Sequence, residues 1–154
     1  MDKPSDRLRE MGIDLTTPPK PVAAYVPCVR HGDTLLLSGQ IPITGGKVQY
    51  AGQVGLEQKL EDAQQAAKLC AINALAVAAD AAGGIDNIAR VLKVVVYVAS
   101  HENFTDQHLV ANGCSEFLKE VFGESGRHAR AAVGVAELPL NSAVEVDVMF
   151  VVKT

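Results

Sequence analysis

The stretch that decides the fold is Arg127-His128-Ala129-Arg130-Ala131-Ala132-Val133-Gly134-Val135-Ala136-Glu137-Leu138-Pro139-Leu140-Asn141-Ser142, followed by Ala143-Val144-Glu145-Val146-Asp147-Val148-Met149-Phe150-Val151-Val152. It reads as two strands joined by a short turn. In the second, Val144, Val146, Val148, Phe150 and Val152 share one face, and Glu145, Asp147, Met149 and Val151 share the other. That period of two is a β-strand with one face toward a core. The opposite face is too apolar for a plain solvated surface, which leaves a ligand cleft or a subunit interface. In the first strand small residues alternate, and Arg130 stands among Ala and Gly with little nearby to cover its guanidinium. Pro139 and Asn141 supply the turn.

Upstream, Arg90–Ser100 is apolar on both parities, so it belongs centrally in a sheet. Residues 22–30 and 33–38 read as strands around a tight turn at His31-Gly32-Asp33. Thr34-Leu35-Leu36-Leu37 is apolar on both faces, which predicts burial on both sides. Thr44-Gly45-Gly46-Lys47 is a second turn, leading into a short third strand at 47–51. The longest helix is expected over Leu56–Ala82, with Leu56, Leu60, Ala63, Ala67, Cys70, Ala74, Val77 and Ala81 on one face and Gly83-Gly84 as its stop. Its second half, from Ala71, is almost wholly apolar apart from Asn73 and Asp80, and must be covered on more than one side. A second helix is expected from Thr105, as cap, to Val121, with Leu109, Cys114 or Gly113, Phe117 and Val121 facing in. At the start, a weakly amphipathic helix over 5–11 has Ser5 as N-cap. The proline-rich run Pro18-Pro19-Lys20-Pro21 makes residues 1–21 an arm lying on a single domain, 22–154. The resulting order, β-β-β-α-β-α-β-β, is an α+β fold. A mixed sheet with both long helices on one face buries each helix's one apolar stripe.

Composition narrows the function classes. Net charge is -4 over 154 residues, and the 14 Lys and Arg are scattered. A phosphate-tracking surface needs them clustered. There is no Trp, and the seven Tyr and Phe make a poor base-stacking platform. Nucleic acid is therefore not an expected partner. Cys28, Cys70 and Cys114 are odd in number and lie in no C-x-x-C pair, which argues for a reducing compartment. No signal peptide is evident, and no apolar run reaches the ~18 residues of a membrane span. The expectation is a cytoplasmic protein without membrane association. His31, His101, His108 and His128 have no metal-ligand spacing, and no phosphate-loop, dinucleotide or nucleophile-elbow motif occurs. No metal or cofactor is called for.

Arg130-x-x-Val133-x-Val135-x-x-Leu138-Pro139, followed by Val144-Glu145-Val146, resembles the C-terminal signature of the RidA (YjgF, reactive-intermediate deaminase) family. Tyr25 and then Ser38-Gly39-Gln40-Ile41-Pro42 add a second match, and with Asn112 the similarity covers roughly residues 21–152. The resemblance implies a chorismate-mutase-like fold that associates as a homotrimer, with ligand sites between subunits. It implies a cofactor-free hydrolase that deaminates 2-imino and 2-enamino acids to 2-oxo acids and ammonia. Arg130 would bind the carboxylate, and Glu145 would act as acid/base. Tyr25, Ser38, Gly39, Asn112 and Ala132 would line the pocket, the backbone carbonyl at Ala132 holding the attacking water. Ala132 also departs from the family, many of whose deaminases carry a cysteine there.

On the residues alone, each site reading has a structural counterpart. Arg130 is either a bidentate clamp for a carboxylate or half of an ion pair with Glu145, Asp147 or Glu137. Glu145 is either a general acid/base or an ion-paired strand residue. Tyr25 is also readable as an edge-of-core aromatic, Gly39 as a strand end and Asn112 as a polar helix residue. His128 shares the strand parity of Arg130 and so can face the same side. Two further functions stay open: a non-catalytic trimeric binder or sensor of small carboxylic acids, and a ribonuclease or translation inhibitor, which the acidic composition disfavours.

Overall fold

The computed structural model describes residues 2–18, 21 and 23–154. Five strands form the main sheet in the order β1-β2-β7-β5-β6. They are β1 Cys28–His31, β2 Thr34–Leu37, β5 Ile88–Ala99, β6 Ala129–Val135 and β7 Val144–Val152. The two long helices, α2 Leu60–Ala82 and α3 Gln107–Phe122, pack together on one face. The chain is thus α+β with a mixed sheet. All pairings are antiparallel except β5–β6, which α3 joins by a parallel crossover.

The alternation in β7 is realised residue by residue. Val144, Val146, Val148, Phe150 and Val152 are buried, whereas Glu145, Asp147, Met149 and Val151 are half-buried on the open face. The strands on either side of the 138–142 turn do not pair with each other, because β5 lies between them. Against the buried face α2 sets Ala63, Ala67, Cys70, Ala74 and Val77, and α3 sets Val110, Cys114, Phe117 and Val121. The small side chains of α2 let the helices approach closely. A Cβ at Gly113 of α3 would meet the backbone of Gln64 in α2.

Several expectations need correction. Leu36 is 42% exposed on the open face, so β2 is not buried on both sides. The strand expected over 47–51 shortens to β4, Lys47–Val48, and pairs with β3, Ile43–Thr44, in a separate hairpin. Its Gly45-Gly46 loop has positive φ at both residues, the geometry that suits a two-residue hairpin. The first strand begins only at Cys28, with bends at residues 23–25, and its expected start at Val22 falls outside the described residues.

Helix α2 starts at Leu60, and Leu56 is 60% exposed. The chain turns at Gly52 and Gly55, both at positive φ, and Glu57 accepts a hydrogen bond from the Gln53 N–H at 2.9 Å. The fully buried Val54 fills the core where Leu56 was expected. At its other end Ala81 is exposed, and Gly83 caps the helix in the left-handed conformation. Helix α3 starts at Gln107 with Asp106, not Thr105, at the cap position.

The arm opens with α1, Pro4–Glu10, capped at Lys3 with Pro4 in the first turn. Ser5 is not the cap. Its N–H and hydroxyl instead both bond the Asp86 carboxylate, at 2.9 and 2.7 Å. Arg7 donates to the Val121 carbonyl at the end of α3, and Leu8 is buried in the core. Pro19 and Lys20 of the proline-rich run lie outside the described residues. Ile13 and Leu15 pack at the core edge, as does Ala79 of α2. Asn73, the polar break in the apolar half of α2, donates to the carbonyls of Ile41 and Ile43. Ala74–Ala78 are therefore covered within one chain, and that half of α2 gives no argument for a subunit interface.

Candidate functional site

Strand register sorts the site residues into two groups. Val94 of β5 is level with both Arg130 and Val148, so Arg130 points to the helix-covered face. Tyr97 is level with Glu145, on the open face. Arg130 and Glu145 thus lie on opposite sides of the sheet. With β5 between their strands, they are also on the order of 10 Å apart laterally, two strand spacings.

The first group is built on β6 and α3. Asn112 and Ser115 are three residues apart, so they share the helix face turned to β6. Arg130 Nη1 donates to Asn112 Oδ1 at 2.9 Å and to Ser115 Oγ at 3.2 Å, and Nη2 donates to the His108 carbonyl at 3.3 Å. Those bonds use three of the five N–H groups of a guanidinium. All three acceptors are neutral. The ion pairs among the described residues are Arg9–Asp6 and Arg127–Glu124, so Arg130 has no carboxylate partner there. Ala132 lies two residues on, on the same face of the edge strand. Beside this group Cys114 is buried, which pushes its thiol up to about 12 although Arg130 pulls the other way.

His128 also joins this group. Its Nε2 is 2.8 Å from Ser115 Oγ, and its Nδ1 is 2.6 Å from the Gly126 carbonyl oxygen. Burial holds the imidazole below its ordinary pKa, and Arg130 adds to this against the opposing Gly126 bond. Ser115 and the His108 carbonyl escaped the sequence reading. The three-residue spacing of Ser115 from Asn112 was the available signal.

The second group is built on the end of β2 and on β7. Gln40 and Val146 exchange backbone hydrogen bonds at 2.8 and 2.9 Å, which pins residues 38–40 beside Glu145. Glu145 lies so close over Gly39 that a Cβ there would be 2.6 Å from Oε2. A side chain there would force the Glu145 carboxylate to move. Ser38 donates from N to the Pro27 carbonyl and from Oγ to the Val26 carbonyl, so the Tyr25–Pro27 segment runs alongside. Tyr25 itself is 60% exposed. Burial raises the Glu145 pKa, and the nearby Asp147 charge raises it further. Each group therefore unites several expected residues, Arg130 with Asn112 and Ala132, and Glu145 with Ser38, Gly39 and the Tyr25 segment. One chain does not bring the two groups together.

The layered α+β domain thus carries a guanidinium held by neutral acceptors at a sheet edge and a half-buried glutamate on the open face. The chain belongs to the YjgF/RidA family: the family described as "YjgF/chorismate_mutase-like, putative endoribonuclease" matches residues 5–152, so the match includes most of α1. Protein TCP17 of Trypanosoma cruzi is 42% identical over 92% of this chain and 89% of its own. The 2-iminobutanoate/2-iminopropanoate deaminase of Dermatophagoides farinae is 30% identical over 90% of this chain and 95% of its own. A crystal structure from Agrobacterium tumefaciens, of a protein of unknown function, superposes with a TM-score of 0.88 at 45% identity, covering 96% of this chain and 91% of that one. Among the described residues no helix is long and apolar enough to cross a membrane.

Proposed function

We propose that the protein hydrolyses 2-imino and 2-enamino acids to 2-oxo acids and ammonia, at sites shared between copies of the chain in a homotrimer. The observation that carries this reading is the state of Arg130. Three neutral acceptors hold its guanidinium, it has no acid partner among the described residues, and two N–H groups remain for a ligand carboxylate. Glu145 supplies the proton chemistry. Its raised pKa lets the carboxyl hold a proton to higher pH than an exposed glutamate does. Water adds to the imine carbon, the C–N bond breaks, and ammonia leaves with the proton delivered by Glu145. The pocket backbone at Gly39 and Ala132 positions that water. The substrate has only a few heavy atoms and cannot reach from Arg130 to Glu145 across one sheet. A second copy must bring its Glu145 group to this Arg130. The relative from Dermatophagoides farinae, named as such a deaminase, supports the substrate class.

The test is ammonia release from freshly generated 2-iminopropanoate, where a rate equal to the buffer blank sinks the reading. Ala132, in place of the cysteine many family deaminases carry, supports a second reading: a trimeric binder of small carboxylic acids without turnover. Thermal stabilisation by 2-oxo acids with no ammonia release would select it.

A further inference from the structure

We propose that His128, acting through Ser115, is a positioning residue that fixes the Arg130 guanidinium for its ligand. The inference rests on reading Arg130 as the carboxylate clamp. The Gly126 carbonyl only accepts, so Nδ1 of His128, 2.6 Å away, carries the proton. In the neutral ring Nε2 is then bare, and at 2.8 Å it accepts from the Ser115 hydroxyl. With its proton committed to His128, Ser115 Oγ has lone pairs only for Arg130 Nη1, at 3.2 Å. Every link donates in one direction: Arg130 to Ser115, Ser115 to His128, His128 to Gly126. Burial and the Arg130 charge keep the imidazole neutral, which preserves that direction.

The consequence is specificity. Asn112, Ser115 and the His108 carbonyl occupy both Nη1 hydrogens and one on Nη2. Nε–H and the second Nη2 hydrogen stay open. A planar carboxylate can take two such donors at once. A guanidinium free to turn about its terminal bonds would have to be ordered by each ligand, at a cost in affinity.

Nitrogen-15 NMR of the intact protein tests the relay without any variant. His128 should be in the Nδ1–H tautomer, and the two Arg130 Nη signals should be separately resolved. An Nε2–H tautomer overturns the relay. His128→Phe fills the ring volume without an acceptor, whereas His128→Gln returns an acceptor near the Nε2 position. In His128→Phe and Ser115→Ala the Nη signals should merge and pyruvate affinity should fall roughly tenfold. Melting temperature should not move, and His128→Gln should recover most of the loss. Unchanged affinity in His128→Phe, or no recovery in His128→Gln, overturns the proposal. Should the wild type bind no pyruvate, the deaminase reading falls separately. Resolved Nη signals that merge in His128→Phe would then still support the relay, and merged signals in the wild type would overturn it.

Discussion

At the scale of single residues, Arg130 separates ligand binding from stability. It is exposed and bonded to neutral acceptors, so Arg130→Ala leaves no buried acid behind. Its melting temperature should stay within a few degrees of wild type, while 2-oxo-acid affinity is lost. Arg130→Lys keeps the charge but not the fork and should weaken binding roughly tenfold. Calorimetry and thermal melts on the same samples check both. Glu145 gives a pH-dependent counterpart. Burial, and then Asp147, raise its folded pKa above the ordinary carboxyl value of 4.5, so the folded state holds the proton longer than the unfolded chain. Stability is therefore lost as pH rises from about 4.5 through the folded pKa. Glu145→Gln should flatten that fall, melt no lower than wild type at pH 7, and slow turnover by roughly 10²–10⁴-fold. Motif order singled out Arg130, Asn112, Gly39 and Glu145, and the fold sets Arg130 against Asn112 and Gly39 against Glu145. Ser115 was not singled out, since its three-residue spacing from Asn112 has no meaning until the facing strand is known.

At the scale of elements, period and punctuation located the long helices and the two C-terminal strands. Local backbone shape decided what they missed. Leu56 continued the stripe of α2 on paper, but two glycines at positive φ turn the chain away before Leu60. Ser5 looked like a cap, yet Asp86, distant in sequence, claims both its hydrogen-bonding groups. The contact between α2 and α3 gives a prediction whose sign depends on magnitudes. Gly113→Ala should favour helix α3 by roughly 1 kcal/mol on propensity alone. The added methyl would meet the Gln64 backbone, however, and overpacking against backbone costs about 1–3 kcal/mol. The variant should therefore be less stable than wild type in urea unfolding. A stabilised variant would mean that the helices part without cost.

At the scale of the whole molecule, composition and strand parity pointed to a sheet with helices on one side and an unfinished opposite face. Which residues stay uncovered was not legible, because the arm and the β3–β4 hairpin, not a partner, cover the apolar end of α2. The surface left for assembly is the open face, where Leu36, Val29 and Val133 are each more than two-fifths exposed. Large exposed apolar patches mark interfaces. Light scattering should give a particle of about three times 16.3 kDa. Leu36→Glu should reduce it to the monomer and abolish 2-oxo-acid binding, although Leu36 belongs to neither site group. A monomeric wild type would remove the shared site altogether. The strand order has a further consequence, for synthesis. The middle strand of the sheet, β7, is the last to leave the ribosome. Until it arrives, β2 and β5 each present an unpaired edge, the kind of surface through which nascent chains stick to one another. The growing polypeptide can form its helices and the β1–β2 hairpin, but the sheet closes only once Val144–Val152 has emerged. A message truncated before Val144 yields a product with no centre to its sheet.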